Sequence, residues 1–442
     1  MRTARTLGTR NPPFIFLPED VLLLIFEVVR LGCVAQQDRW TRGIPLADLL
    51  SCSLVCRAWA NVIPFAMYRD IRVPMARTGS NVRAAAFLKR TLMDFDASIV
   101  GRRVLAIVRS LQLAVHLYSH DEGFVSPVGV LQNGLSSDGN ATAANRDLHF
   151  CSPTELAQLL SHLKRLNSLA IIQFKRRPEV TPLPKMLLTA LRGLDALTHL
   201  CLGGEPTGSL PPWHEFVRCC PTLTHLRLCG AFDLRPPFPP LSSEPNQPTC
   251  RLQMLSIQSH NFDTQLEQFA PLCQELNALF VEIDRRTRLP HEAVSLTGPL
   301  PQTLKVLSIN CSAQYPVGFS TIVHRLPHLQ TLIFNAVTPS LPRLILMMPT
   351  SVTCLGFDID VELATSVDLT ALLEALHSRA HQIETLVIFV PYFELKVVRG
   401  SFSSELEKQW RLLFEDFQAS HKHIRIRTVT RSRGLWHEHV VM

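Results

Sequence analysis

Ten times between Val108 and Ile388 the chain sets apolar residues at a first, a fourth and a sixth position. The triplets are Val108/Leu111/Leu113, Leu166/Leu169/Ile171, Leu197/Leu200/Leu202, Leu223/Leu226/Leu228 and Leu252/Leu255/Ile257. They continue as Leu276/Leu279/Val281, Leu304/Leu307/Ile309, Leu329/Leu332/Phe334, Val352/Leu355/Phe357 and Ile383/Leu386/Ile388. From Leu169 onward the middle residues stand 23 to 31 positions apart. Within each triplet the last two apolar residues alternate with another side chain, as a half-buried strand requires. One short strand cannot shelter its own apolar face. Similar units at a near-constant period can do so by stacking, so the pattern predicts strand–crossover units that contact their neighbours.

The segments between strands read differently from one another. Ser152-Pro153-Thr154-Glu155 is a capping box with proline at the first helical position, predicting a helix to about Leu163. Thr264 to Cys273 and Leu369 to Leu376 have helical spacing, the latter with Asp368 as N-cap. Arg235 to Pro248 is too rich in proline for regular structure. Tyr118 to Phe150, centred on Ser136-Ser137-Asp138-Gly139-Asn140, interrupts the array and reads as a disordered insertion. Ser401 to Phe417 reads as an amphipathic helix closing the array, before a strand-like His423 to Arg427. Ala84 to Phe95 reads as a bracing helix.

The N-terminal part has a different texture. Pro18 opens a first helix, where its missing N–H costs nothing. Leu49 to Val62 is expected to be a second. On a helical wheel Ser53, Arg57 and Asn61 share one narrow arc, and apolar residues cover most of the rest. A helix packed on one side needs an apolar stripe of about 100°. This one has more, which fits a helix packed on its own domain and also on a partner.

Leu17-Pro18-Glu19-Asp20-Val21, then Ile25-Phe26, Leu49-Leu50 and Ser53-Leu54-Val55-Cys56-Arg57-Ala58-Trp59 resemble, in that order, the F-box motif. The closing Ile63 to Ile71 resembles the way fungal F-boxes end. Arg30 to Pro45 is longer than the usual link between the first two helices. The period of the triplets resembles the 20–29 residues of leucine-rich repeats. The asparagine expected after each triplet is mostly missing, and the matching sites hold Gly204, Ala231, Ser259 and Ser312. Together the resemblances imply an α/β chain: all-α F-box helices followed by an irregular leucine-rich-repeat-like α/β solenoid. The expected divisions are 1–16, a flexible basic arm; 17–73, the F-box; 74–103, a helical linker; 104–430, the solenoid with the 118–150 insertion; and 431–442, a tail.

An F-box implies docking on a Skp-type adaptor and, through it, on the cullin and RING subunits of an SCF-type ubiquitin ligase. Other subunits then transfer ubiquitin, and this chain is a non-catalytic receptor for an unidentified target protein, needing no cofactor. Leu17, Pro18, Ile25, Leu50, Cys52, Val55, Cys56 and Trp59 are the expected adaptor contacts. In the repeats, the leucines of L-x-L face the core and the residues around them face a concave surface. That surface is expected to hold the target through His225, Arg227, Gln258, Phe280, Glu282, Asn310, Ile333, Asn335 and Asp358. It would grade from basic to acidic, with Phe280 and Ile333 exposed.

Other chemistry is poorly supported. The chain has no G-x-S-x-G elbow, P-loop or dinucleotide fingerprint. His377 and His381 have the i, i+4 spacing of zinc ligands, but no glutamate follows the first and no third ligand is implied, so no metal is expected. Lys175-Arg176-Arg177, Arg285-Arg286 and Arg425, Arg427, Arg431 and Arg433 lack interleaved aromatics, which disfavours nucleic acid. No apolar run approaches the roughly 20 residues that span a bilayer, and no apolar signal-peptide core follows Arg10. Twelve cysteines without a framework, mostly in apolar segments, suit a reducing cytosol or nucleus. The competing readings are a non-ligase repeat scaffold whose F-box-like helices pack only on the solenoid, and a nucleic-acid-associated repeat protein.

Overall fold

In a computed structural model of the chain, residues 105–115, 153–173, 184–204, 213–232, 250–259, 273–282, 300–310, 323–334, 341–358, 369–391 and 404–431 are described. So are 21–22, 24–26, 54–56, 59–60, 62–63, 68–72 and 102. The expected helices at 84–95 and 264–272, the proline-rich 235–248 and the insertion 118–150 lie outside them.

Twelve strands form one open sheet in chain order, every neighbouring pair parallel. They are β1 (Asp70–Arg72), β2 (Ser110–Val115), β3 (Ser168–Gln173), β4 (His199–Gly204), β5 (His225–Phe232) and β6 (Met254–Ser259). The sheet continues through β7 (Ala278–Glu282), β8 (Val306–Asn310), β9 (Thr331–Phe334), β10 (Cys354–Asp358), β11 (Thr385–Pro391) and β12 (Arg425–Arg431). The described crossover helices are α1 (Pro153–His162), α2 (Lys185–Arg192), α3 (Trp213–Cys219), α4 (Leu341–Leu346), α5 (Leu369–Arg379) and α6 (Ser404–Ser420). Parallel strands need crossovers, and these helices supply several of them.

The last two residues of the ten triplets fall on β2 to β11 and the first stands just before each strand; every one of these side chains is at most 4% exposed, in one continuous core. At roughly 1.5–3 kcal/mol for each large apolar side chain removed from water, this row is the main source of stability. Helices α1, α5 and α6 lie where helical spacing predicts them. Helices α2, α3 and α4 were not anticipated. In α2 the signal is Leu187 and Leu191, one turn apart and buried, between Pro184 and Gly193; the Gly193 N–H donates to the Ala190 carbonyl and the Leu194 N–H to that of Leu191. Strand β1 was also missed, since Asp70-Ile71-Arg72 offers a single apolar residue, the buried Ile71.

The repeat is longer by three residues than its sequence pattern. The first apolar residue of a triplet donates its N–H to a carbonyl three positions earlier: Leu166 to Leu163, Leu197 to Leu194, Leu223 to Cys220, Leu276 to Cys273, Leu304 to Pro301 and Leu329 to Leu326. The carbonyl just before most strands then accepts two N–H groups from the next unit. Asn167 takes those of Thr198 and His199, Thr198 those of Thr224 and His225, and Asn277 those of Lys305 and Val306. Thr222 and Thr303 hydroxyls add 2.8 Å bonds to the Leu197 and Leu276 carbonyls. This relay at the strand entrance does what asparagines would do at the exit. Three of the expected asparagine sites, Gly204, Ala231 and Ser259, are strand residues.

Gly356 in β10 has a packing reason. A Cβ there would lie 3.1 Å from Ile333 Cγ1 and 3.3 Å from Phe389 Cε2. Gly356→Val should therefore overpack the sheet face and cost about 1–3 kcal/mol. Chemical denaturation of the two proteins under identical conditions measures it.

Candidate docking surfaces

The described residues within 21–26 and 54–63 make a small unit with an inside and an outside. Leu22 and Phe26, one helical turn apart, are buried, as are Val62 and Ile63. Phe26 meets Trp59 edge to face at 5.3 Å, joining the two segments. On the outside stand Val21 (40% exposed), Leu24 (67%), Ile25 (37%), Leu54 (87%) and Val55 (62%). Among the described residues eight large apolar side chains are exposed, and five of them are these. Scattered exposed apolar residues need no explanation; a concentration on one small unit marks an interaction site.

Of the expected adaptor contacts, Ile25 and Val55 are exposed, and Cys56 and Trp59 are partly so. Leu17, Pro18, Leu50 and Cys52 lie outside the described residues. Val21, Leu24 and Leu54, outside the expected set, are exposed as well, and positions 21, 24 and 25 share a helix face. The expected continuous helix from Leu49 to Val62 needs correction. Leu54 and Val55 form a turn, whereas Trp59 and Ala60 are helical. The Cys56 carbonyl accepts the Ala60 N–H at 3.0 Å, a helical bond, and Leu54 and Val55, in the turn just before Cys56, stand exposed.

The second face of the sheet also departs from expectation. Phe280 and Ile333, expected in an open groove, are 1% and 0% exposed. Phe280 packs with Met254, Ala278 and Val306; Ile333 packs with Val387, Phe389 and Cys354. Register explains this. Across β5 to β12 the middle row reads Arg227, Ser256, Phe280, Ser308, Ile333, Gly356, Val387, Arg427. Large side chains alternate with small ones, which lets neighbouring rings and branches close together. Gln258, Glu282, Asn310 and Asp358 sit one alternation further along β6, β7, β8 and β10, with Gln258 opposite Glu282 and Glu282 opposite Asn310. Asn335 lies outside the described residues. The basic-to-acidic grading also changes, because Arg425 and Arg427 of β12 end the face as Arg227 begins it.

At the β4–β5 end, His199 and His225 stack with ring centres 4.0 Å apart and planes 15° apart. The Nδ1 atoms lie 2.8 Å from the hydroxyls of Thr198 and Thr224, the residues just before them. Partial burial, and then the charge of His199, push His225 down to about 4; burial lowers His199 as well. The unfolded chain therefore takes up protons before the folded one as pH falls. Stability from His225 is complete above about 6.5 and lost progressively toward about 4. His225→Asn should flatten the difference in urea midpoint between pH 7 and pH 5.

Elsewhere, His377 Nδ1 lies 2.7 Å from His421 Nε2 and His381 is exposed, so the helical histidine pair does not converge. Among the described residues no group of three or more His, Cys, Asp or Glu is arranged to hold a metal ion. Burial pushes the thiols of Cys220, Cys250 and Cys273 up to about 12, and these three, with Cys56, Cys201, Cys219 and Cys354, are free. Among the described residues no helix is long and apolar enough to cross a membrane.

Compared with known protein families, residues 14–73 match the F-box-like family. No curated protein matches the chain.

Proposed function

We propose that the chain is a substrate-receptor subunit of an SCF-type cullin-RING E3 ubiquitin ligase, acting in the cytosol or nucleus. The F-box-like region at 14–73 is the premise, and the observation that carries the reading is the exposed apolar set around the Phe26–Trp59 contact. Ile25, Val55, Cys56 and Trp59, with Leu17, Pro18, Leu50 and Cys52, line the Skp-type adaptor; Val21, Leu24 and Leu54 join them. Burying several such side chains at roughly 1.5–3 kcal/mol each outweighs the cost of association.

The in-order parallel sheet is, on this reading, a leucine-rich-repeat-like solenoid that holds a target protein. Its contribution is positional: it raises the effective concentration of target lysines near the charged conjugating enzyme. The partly exposed His225 and Arg227 remain target contacts, with Gln258, Glu282, Asn310 and Asp358 along the same face; Phe280 and Ile333 do not. The test is size-exclusion chromatography of the full chain mixed with a purified Skp-type adaptor. A stoichiometric complex is expected, and separate elution at micromolar concentrations rejects the reading.

A further inference from the structure

The two edges of the sheet differ. One is β1, three residues long; the other is β12, seven residues long and paired to β11 along its whole length. Among the described residues nothing pairs with the outer side of β12. Arg425 donates its N–H to the Glu384 carbonyl at 2.8 Å. Backbone groups alternate sides along a strand, so Arg427, Val429 and Arg431 also face β11. Ile426, Thr428 and Thr430 then direct their N–H and C=O groups outward, a row of donors and acceptors with no strand partner among the described residues, which templates a further strand.

Charge selects which strand. From His421 to Arg433 the chain carries Lys422, Arg425, Arg427, Arg431 and Arg433 and no Asp or Glu. Arg425 and Arg427 are exposed and lie on the second face, opposite Thr385 and Val387. Ile426, on the other face, is partly buried against the main core. A second copy pairing edge to edge would set arginine against arginine, which is destabilising.

We infer that β12 is a docking edge for an extended acidic segment of another protein. That segment adds as a thirteenth strand, its acidic side chains beside Arg425 and Arg427 and its apolar ones extending the row of Ile426. This surface lies at the far end of the sheet from the F-box-like region and does not depend on adaptor docking.

The experiment is fluorescence anisotropy of the full chain with a fluorescein-labelled peptide of about ten residues alternating Glu and Val. Saturable binding is expected. N-methylation of alternate peptide amides, which leaves the protein untouched, should weaken it by about ten-fold or more when it removes the edge-facing donors. Thr428→Pro should do the same, since it deletes an outward N–H while leaving the β11 ladder intact; proline is tolerated on an open edge. A matching thermal midpoint shows that this variant is folded. The Arg425→Glu/Arg427→Glu double variant should lose the Glu–Val peptide and gain a Lys–Val one. No saturable binding overturns the inference. So does equal affinity for the N-methylated peptide, or binding of a single-stranded oligonucleotide of equal charge that Thr428→Pro does not weaken.

Discussion

Val55→Asp should abolish co-purification with a Skp-type adaptor while leaving the chain folded. At 62% exposure Val55 contributes little to the fold, and exposed substitutions typically change stability by no more than about 0.5 kcal/mol. In a docked complex the same position would be dry. Losing the valine forfeits roughly 1.5–3 kcal/mol, and an unpaired carboxylate in an interface costs several more. The combined loss should exceed about a hundred-fold in affinity. Leu54→Asp, at 87% exposure, is a second variant of the same kind. Trp59→Ala is a poor substitute, because it removes the edge-to-face contact with Phe26 and damages the small unit itself. Isothermal titration of each variant, beside its denaturation curve, separates lost docking from lost folding. Adaptor binding by Val55→Asp within a few-fold of the parent would remove the support on which the ligase reading rests.

What could be read from the sequence followed the strength of the periodic signal. The triplets locate strands β2 to β11 because three apolar positions at a fixed spacing, repeated ten times, outweigh local irregularity. Strand β1 has one apolar residue and no period, and nothing in Asp70-Ile71-Arg72 separates it from a loop. The entrance turn was within reach, since Leu163, Leu194, Cys220, Cys273 and Leu326 all stand three positions before a triplet. Their variety hid it: cysteine and leucine serve equally where the backbone bond does the holding. In the N-terminal unit the excess of apolar surface was legible, but its wheel assumed one continuous helix. The turn at Leu54-Val55 is a local backbone feature, which a wheel cannot express.

The second face failed for a different reason, and that reason yields the other large prediction. Alternation along a strand tells which residues share a face; it does not tell whether the face is wet. Phe280 was therefore placed in an open groove. The information lay across strands, where Ser256 and Ser308 flank Phe280 in register and are 0% and 1% exposed. A groove residue and a core residue respond oppositely to truncation. In a groove, Phe280→Ala would leave stability within about 0.5 kcal/mol. In the cluster with Met254 and Ala278 it leaves a cavity, and the expected loss is about 3–5 kcal/mol. Leu279→Ala, one residue away on the main-core face, sets the scale at about 2–5 kcal/mol. Urea denaturation of the two variants should show comparable losses. If Phe280→Ala unfolds with the parent while Leu279→Ala does not, this stretch of the face is open to partners, and Phe280 returns to the target-binding set.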